Sequence, residues 1–411
     1  MQSLIENWVW MCELMKERIK NMVTSNRLYL LLFLLSFLIF WFSGEGHPTY
    51  YDYYVRLSNA FLHGRLYLLE QPPWLNELIP FDGGFYVVYP PFPAVVMMPL
   101  VAVFGVNLNQ TLVSVFVGSL CVVMACVVAK DVVNIEESAL HVWSAILFGF
   151  GTIFWYLTSV GSAWYLAHVM SVFFLFTAIH EALNRGRPML VGLLVGASYW
   201  CRLPTILTLI FFAVLIGFNQ RWKMSKAALP LLKMSAGAFI FVGLNMLYNF
   251  ARFGTPFDVG YWLIPGILDE PWFSEGLFSL SYISCNLRTI LMGLPVFIHE
   301  PPFVLPPWTG MAIWVTTPAF IYAFRSNRKE AITWACWLAI IAVASVIFCK
   351  GCSGWGFGYR YAMDFYPFLY ILTVKGMGGS FRWRHKVLIV LSVLVNLWGV
   401  VWVNKFGWWA F

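Results

Sequence analysis

The sequence predicts an all-α, polytopic membrane protein: a bundle of about eleven transmembrane helices, with amphipathic and re-entrant helices on one side. Three observations predict it. Of 411 residues, 60% are hydrophobic and only 11% charged, with 21 Trp and 37 Phe, whereas soluble domains are roughly one quarter charged. Apolar runs of about 15 to 22 residues recur along the whole chain, each close to the length that crosses a hydrocarbon core of about 30 Å as a helix. The cations gather in a few short connections, as the positive-inside rule requires. The net charge of +7 therefore reports topology, and no nucleic-acid partner is expected.

Taken in order, residues 1–27 read as an amphipathic segment on the cytoplasmic membrane surface, with Leu4, Ile5, Trp8, Cys12, Met15, Ile19 and Met22 at helical spacing. Lys16, Arg18, Lys20 and Arg27 precede a first span at 28–43, which puts the N-terminus in the cytoplasm. A first external loop with juxtamembrane helices then covers 44–107. The cations at 130, 185, 187, 221–226, 325–329 and 375–386 all become cytoplasmic under one arrangement. Residues 108–129, 139–157, 163–183, 188–201, 203–218, 227–248, 308–324, 331–349, 361–374 and 386–403 must each cross once. The apolar pieces 91–105 and 276–298 then lie outside as re-entrant or interfacial helices. Residues 248–307 form a second large external loop, and the C-terminus is external. The whole chain, 1–411, reads as one integral domain of the cytoplasmic (inner) membrane. The eight Cys offer no metal-type CxxC pair and fall mostly in apolar runs, so buried thiols are expected.

This topology sorts the polar residues. The external segments hold Asp52, Asp82, Arg202, Arg252, Asp258, Glu300 and Arg360, while the cytoplasmic connections are short, basic and free of any phosphate-cradling glycine loop. Chemistry is expected on the outer side, away from soluble nucleotides. Arg202 joins two spans that reach only roughly 21 and 24 Å as helices, so its turn sits below the outer surface. An arginine there either pairs with a carboxylate or faces a water-filled cavity or an anion. Its planar fork of donors suits phosphate.

An early external loop, "YYDYYVRLSNAFLHGRLYL" (50–68), is followed by "FDGGFYVVYPPFPAVVMMPLVAVFG" (81–105) and then by paired spans. With "GSAWYLAHV" (161–169), "CRLPT" (201–205), "YNFARFGTPFDVGY" (248–261) and "GYRYAMDFYPFL" (358–369), this order resembles the integral-membrane GT-C glycosyltransferases. It is similar in particular to bacterial relatives of the protein O-mannosyltransferases and of the lipid A aminoarabinose transferases. The resemblance implies a polyprenyl-phosphate-sugar donor, a glycan, lipid or protein acceptor, and inverting transfer outside the cytoplasm. A transporter or flippase of a lipid-linked or small anionic solute is the alternative, since buried arginines at a Pro-interrupted helix pair also suit carriers.

The resemblance places a carboxylate base near the start of the first external loop, where Asp52 stands. An inverting transfer needs a base on the sugar face opposite the departing phosphate. The other reading of Asp52 is a charge favoured by a helix N-terminus. Asp82 is the rival base, although an Asp before Gly-Gly ordinarily closes a turn. Tyr89 occupies the position before Pro-Pro where the aminoarabinose transferases carry a phosphate-engaging lysine. The missing charge would come from Arg202, Arg252 or Arg360, the last framed by glycines that let backbone approach a ligand. Tyr86, His168, Tyr359 and Glu300 complete the candidate substrate contacts. No metal ligand set is expected, for want of an Asp-x-Asp or a His or acidic cluster; no cofactor is expected, a divalent cation being left open.

Overall fold

A computed structural model describes residues 26–133, 138–352, 354, 356–378 and 381–410; the amphipathic helix expected before residue 26 lies outside them. The first span is α1 (Asn26–Ser43). The loop after it builds α2 (Tyr53–Leu62), the hairpin β1 (Leu78–Phe81) and β2 (Gly84–Val87), and α3 (Phe92–Phe104). Phe81 pairs with Gly84 across a tip of Asp82-Gly83. Both tip residues have positive φ, 45° and 74°, the backbone a two-residue hairpin of matching twist requires. The apolar helix α3 packs back on α2, and Ser58 Oγ donates to the Ala94 carbonyl at 2.7 Å. Residues 92–104 thus lie against the segment that follows α1.

The bundle follows with α4 (Gln110–Val132), α5 (Ser138–Phe150), α6 (Phe154–Val160), α7 (Ala163–Asn184), α8 (Pro188–Tyr199), α9 (Leu209–Asn219) and α10 (Met224–Phe253). The second loop carries α11 (Tyr282–Met292) and the short hairpin β3 (Val296–Phe297) and β4 (Val304–Leu305). The chain closes with α12 (Ile313–Thr316), α13 (Ala331–Ile347), α14 (Tyr366–Met377) and α15 (Trp383–Val400). Tyr282, Asn286 and Ile290, spaced by four, form the buried stripe of α11.

Among the described residues, five helices are long and apolar enough to cross a membrane: Asn26–Ser43, Gln110–Val132, Ala163–Asn184, Met224–Phe253 and Trp383–Lys405. A sixth span arises if α5 and α6, bent by 61° at their junction, count as one. Several expected crossings are shorter or broken. Residues 203–218 begin as a 3-10 turn, Leu203–Thr208, and 308–324 hold only α12 and a 3-10 stretch, Pro318–Arg325. Residues 361–374 open on another 3-10 turn, Arg360–Asp364. Pro204, Pro318 and Pro367 stand at or just past these breaks, where proline withholds a backbone N–H from any helix continuing through it. Small residues allow a close helix contact: a Cβ on Gly192 would come within 1.9 Å of the Met234 carbonyl, so α8 and α10 touch backbone to backbone.

Two buried apolar clusters result. One fills the helix bundle; the other unites α2, the β1–β2 hairpin, α3 and the N-terminal end of α7. Gln110 staples them together. Its side-chain amide donates to the carbonyls of Tyr51 and Gly161 at 3.1 and 3.0 Å and its oxygen accepts from the Tyr54 N–H. A buried amide can be tolerated there because its polar atoms find partners.

The cysteines depart from the expectation of buried thiols in one respect. Cys121, Cys126, Cys201 and Cys336 are buried and free, but Cys285 of α11 is disulfide-bonded to Cys352. The expectation of no CxxC is also corrected: Cys349-Lys350-Gly351-Cys352 is one, divided between a half-buried free thiol and a cross-link to α11. Sequence spacing carries no signal for a partner 67 residues away.

The topology makes a direct prediction. A cysteine introduced next to Asp82 will react with an impermeant maleimide added outside intact cells, and one next to Lys223 will react only after permeabilisation. Labelling of both from one side would break the arrangement inferred from the basic connections.

Candidate active site

An open cavity of about 710 Å³ lies where the two clusters meet, within the roughly 300–1,000 Å³ of small-molecule sites. Its walls come from the loop after α1 (Glu45, His47, Tyr51), the approach to β1 (Asn76, Glu77), α6 and α7 (Tyr156, Trp164, Tyr165), the second loop (Tyr261, Glu270, Trp272, Trp308), residues 350–361 and the end of the α15 helix (Asn404, Lys405, Trp409). Aromatic side chains are the most numerous on these walls.

Two cations, Lys350 and Arg360, share one part of this wall. Lys350 Nζ lies 4.5 Å from the Tyr261 ring centre and 5.0 Å from that of Tyr361. The Arg360 guanidinium lies 5.5 Å from the Tyr165 ring and 5.1 Å from the Tyr361 ring, and its Nη2 donates weakly to the Tyr361 hydroxyl at 3.4 Å. Neither cation has a carboxylate within ion-pair distance among the described residues, and Arg360 Nε is buried with no partner. Ring faces attract cations but leave Arg360 Nε without a hydrogen-bond acceptor.

The backbone carrying these cations is bolted down. Asn286 Nδ2 donates to the carbonyls of Phe348 and Lys350 at 3.0 and 2.8 Å, Tyr359 OH donates to Asn286 Oδ1 at 3.0 Å, and the Cys285–Cys352 disulfide closes the same junction. The glycines around Arg360 serve protein, not ligand, approach: Gly354 N–H donates to the Thr309 carbonyl at 2.7 Å, and a Cβ at Gly354 would meet that oxygen at 2.6 Å.

Glu77 is a carboxylate on the same cavity. Its Oε2 accepts from the Tyr89 hydroxyl and from Trp164 Nε1, the latter at 3.1 Å, and its own N–H donates to Tyr53 OH at 3.0 Å. Burial first, and the Glu77 charge second, push the Tyr89 phenol well above its ordinary value, so Tyr89 keeps its proton and is the donor. Glu45 also lines the cavity; its carboxyl is raised by burial, an effect opposed by His47 and Lys405.

The residues predicted from sequence are distributed unevenly around this site. Arg360 lines it and Tyr89 reaches it through Glu77. Asp52 stands at the N-cap position of α2 but makes no side-chain cap bond, its Oδ1 being held by Arg56 Nε at 2.9 Å, and is not a wall residue. Asp82 is exposed at the hairpin tip and Glu300 is exposed between β3 and β4. Tyr86 packs on Phe81 and Phe253. Arg252 is buried, donating to the Val87 carbonyl at 2.8 Å and to Asn249 Oδ1 at 2.6 Å, and so ties the hairpin to α10. Arg202 and His168 converge elsewhere, on Asp364: the guanidinium donates to both carboxylate oxygens at 3.1 and 3.0 Å, and His168 Nδ1 lies 2.8 Å from Oδ1. Of the two readings of Arg202, the carboxylate partner is the one present.

No protein-family model and no curated protein matches the chain. Two solved structures are similar to it. One is ArnT from Cupriavidus metallidurans bound to undecaprenyl phosphate, 14% identical with a TM-score of 0.49 over 85% of this chain and 59% of that one. The other is the archaeal oligosaccharyltransferase AglB from Archaeoglobus fulgidus in complex with an inhibitory peptide and a dolichol-phosphate, 13% identical with a TM-score of 0.49 over 92% of this chain and 55% of that one. The chain spans a little over half the length of each.

Proposed function

We propose that the protein is a membrane glycosyltransferase that moves a sugar from a polyprenyl-phosphate donor to a glycan, lipid or protein acceptor on the outer face. One observation carries the reading: Lys350 and Arg360, without a carboxylate partner among the described residues, stand on the wall of an aromatic cavity that also holds carboxylates. Such a constellation suits a phosphate that gains charge as its sugar departs, because fixed cations stabilise charge developing in the transition state. The aromatic walls offer ring faces to the sugar. The outward placement is supported by the disulfide beside Lys350, since disulfides persist in oxidising compartments.

In this reading the acceptor oxygen attacks the anomeric carbon on the face opposite the phosphate, which inverts the configuration. The lipid phosphate leaves toward Lys350 and Arg360, and no metal ligand is required of the chain. The test uses protein purified in detergent, a panel of undecaprenyl-phosphate monosaccharides and a total envelope extract as acceptor. Undecaprenyl phosphate, followed by mass spectrometry, should accumulate with at least one donor and only in the presence of extract. Facilitated movement of an intact lipid-linked sugar across proteoliposomes, with no release of lipid phosphate, would replace this reading with the transporter alternative.

A further inference from the structure

Three carboxylates line the cavity, and their surroundings separate them. Glu45 lies 3.9 Å from His47 Nε2 and feels Lys405. Glu270 accepts from the indole of Trp272, two residues further along its own loop. Glu77 alone of the three is held across the fold, by Tyr89 before α3 and Trp164 of α7. No cation is within ion-pair distance of it among the described residues.

We propose that Glu77 is the proton acceptor for the incoming hydroxyl, with Tyr89 and Trp164 as its positioning residues. The proposal rests on the glycosyl-transfer reading above. Both protein donors converge on Oε2, and Oε1 takes no hydrogen bond from the described residues. One oxygen is therefore fixed and the other is available. The backbone is fixed as well, by the Glu77 N–H to Tyr53 OH bond and by the strand that begins at Leu78. A proton acceptor works best when its rotamer is locked by surrounding hydrogen bonds, and this carboxylate meets that condition within the cavity that holds the paired cations. Asp52, by contrast, is ion-paired to Arg56 and lies off the wall.

The step balances as a single displacement. The acceptor O–H proton passes to Glu77 Oε1, and the oxygen's electron pair forms the new bond to the anomeric carbon. The bond from that carbon to the phosphate oxygen breaks, its electron pair stays on the lipid phosphate, and Lys350 and Arg360 face the added charge. Glu77 ends neutral and returns its proton to solvent through the open cavity.

The experiment compares Glu77→Gln, Glu77→Ala and the wild-type protein. Glu77→Gln should lower turnover by about 100-fold or more, the scale of general-base assistance, while binding of undecaprenyl phosphate stays within about threefold of wild type. Glu77→Ala should be inactive and recover at least tenfold on addition of formate, a small carboxylate that can enter the vacated space; a purely structural role gives no such rescue. Near-normal turnover of Glu77→Gln, or loss of lipid binding without formate rescue, overturns the assignment and leaves the glycosyl-transfer reading intact. If wild-type protein releases lipid phosphate from no donor, that reading fails first and the assignment fails with it.

Discussion

Replacing Arg360 with Ala will weaken binding of undecaprenyl phosphate by about 10- to 150-fold, and Lys350→Ala by a comparable factor. The estimate follows from hydrogen bonds to charged groups, worth about 1.5–3 kcal/mol each, at about 1.4 kcal/mol per tenfold in affinity. Both side chains line the cavity and neither faces a carboxylate that could take up the role of the anion. The double variant should show no saturable binding. Arg360→Lys should recover only part of the loss, because an ammonium keeps the charge but lacks the planar fork. Raising ionic strength should weaken wild-type binding and affect the double variant little, since the ionic contribution has been removed. Titration in detergent, by native mass spectrometry or intrinsic tryptophan fluorescence, measures all four. Normal binding by the double variant would place the anion site elsewhere, with Lys405 the next cation on the same wall.

The contrast between Arg360 and the other predicted cations shows what a sequence can and cannot carry. Composition and the length of the apolar runs are enough to identify a polytopic helical membrane protein. They cannot say which way a side chain points. Arg202, Arg252 and Arg360 look alike in sequence, each an arginine beside aromatics at the outer ends of helices. Only tertiary contacts divide them, by giving Arg202 the carboxylate of Asp364, giving Arg252 the carbonyl of Val87, and leaving Arg360 on the cavity wall.

Lys350 was open to a sharper reading. In the arrangement the basic connections imply, it falls among the minority of cations on the outer side, with Arg56, Arg65, Arg202, Arg252, Arg288, Arg360 and Lys405, and a cation that departs from the positive-inside preference calls for a local reason. Glu77, in "WLNELIPF", carries no comparable mark. Its neighbours in space, Tyr89 and Trp164, are 12 and 87 residues away. The pairing of Asp364 with His168 and Arg202 is likewise invisible, because it joins residues 196 and 162 positions apart.

That buried cluster gives the other large expected effect. Asp364→Ala will destabilise the protein by about 3–5 kcal/mol, the cost of removing one partner from a buried ion pair. The carboxylate is fully buried, with His168 and Arg202 both turned onto it. Its removal strands an imidazole within α7 that is only 1% exposed and leaves the guanidinium between α8 and α9, 19% exposed, without its carboxylate. His168 Nε2 already lacks a protein partner, so losing the Nδ1 contact as well would leave that ring without any. Replacing all the members together, as His168→Leu, Arg202→Met and Asp364→Leu, should recover most of the loss, because matched apolar groups remove the need for compensation. Thermal inactivation in detergent, followed by loss of monodisperse protein, will rank the variants: wild type and the triple variant close together, Asp364→Ala far below. If the cluster acts only by holding α7, the turn after α8 and α14 in register, the triple variant will also bind undecaprenyl phosphate within about threefold of wild type. An Asp364→Ala protein as stable as wild type would mean that water reaches these groups. The cluster would then belong to the inner extension of the cavity, and Arg202 would return as a ligand of the departing phosphate.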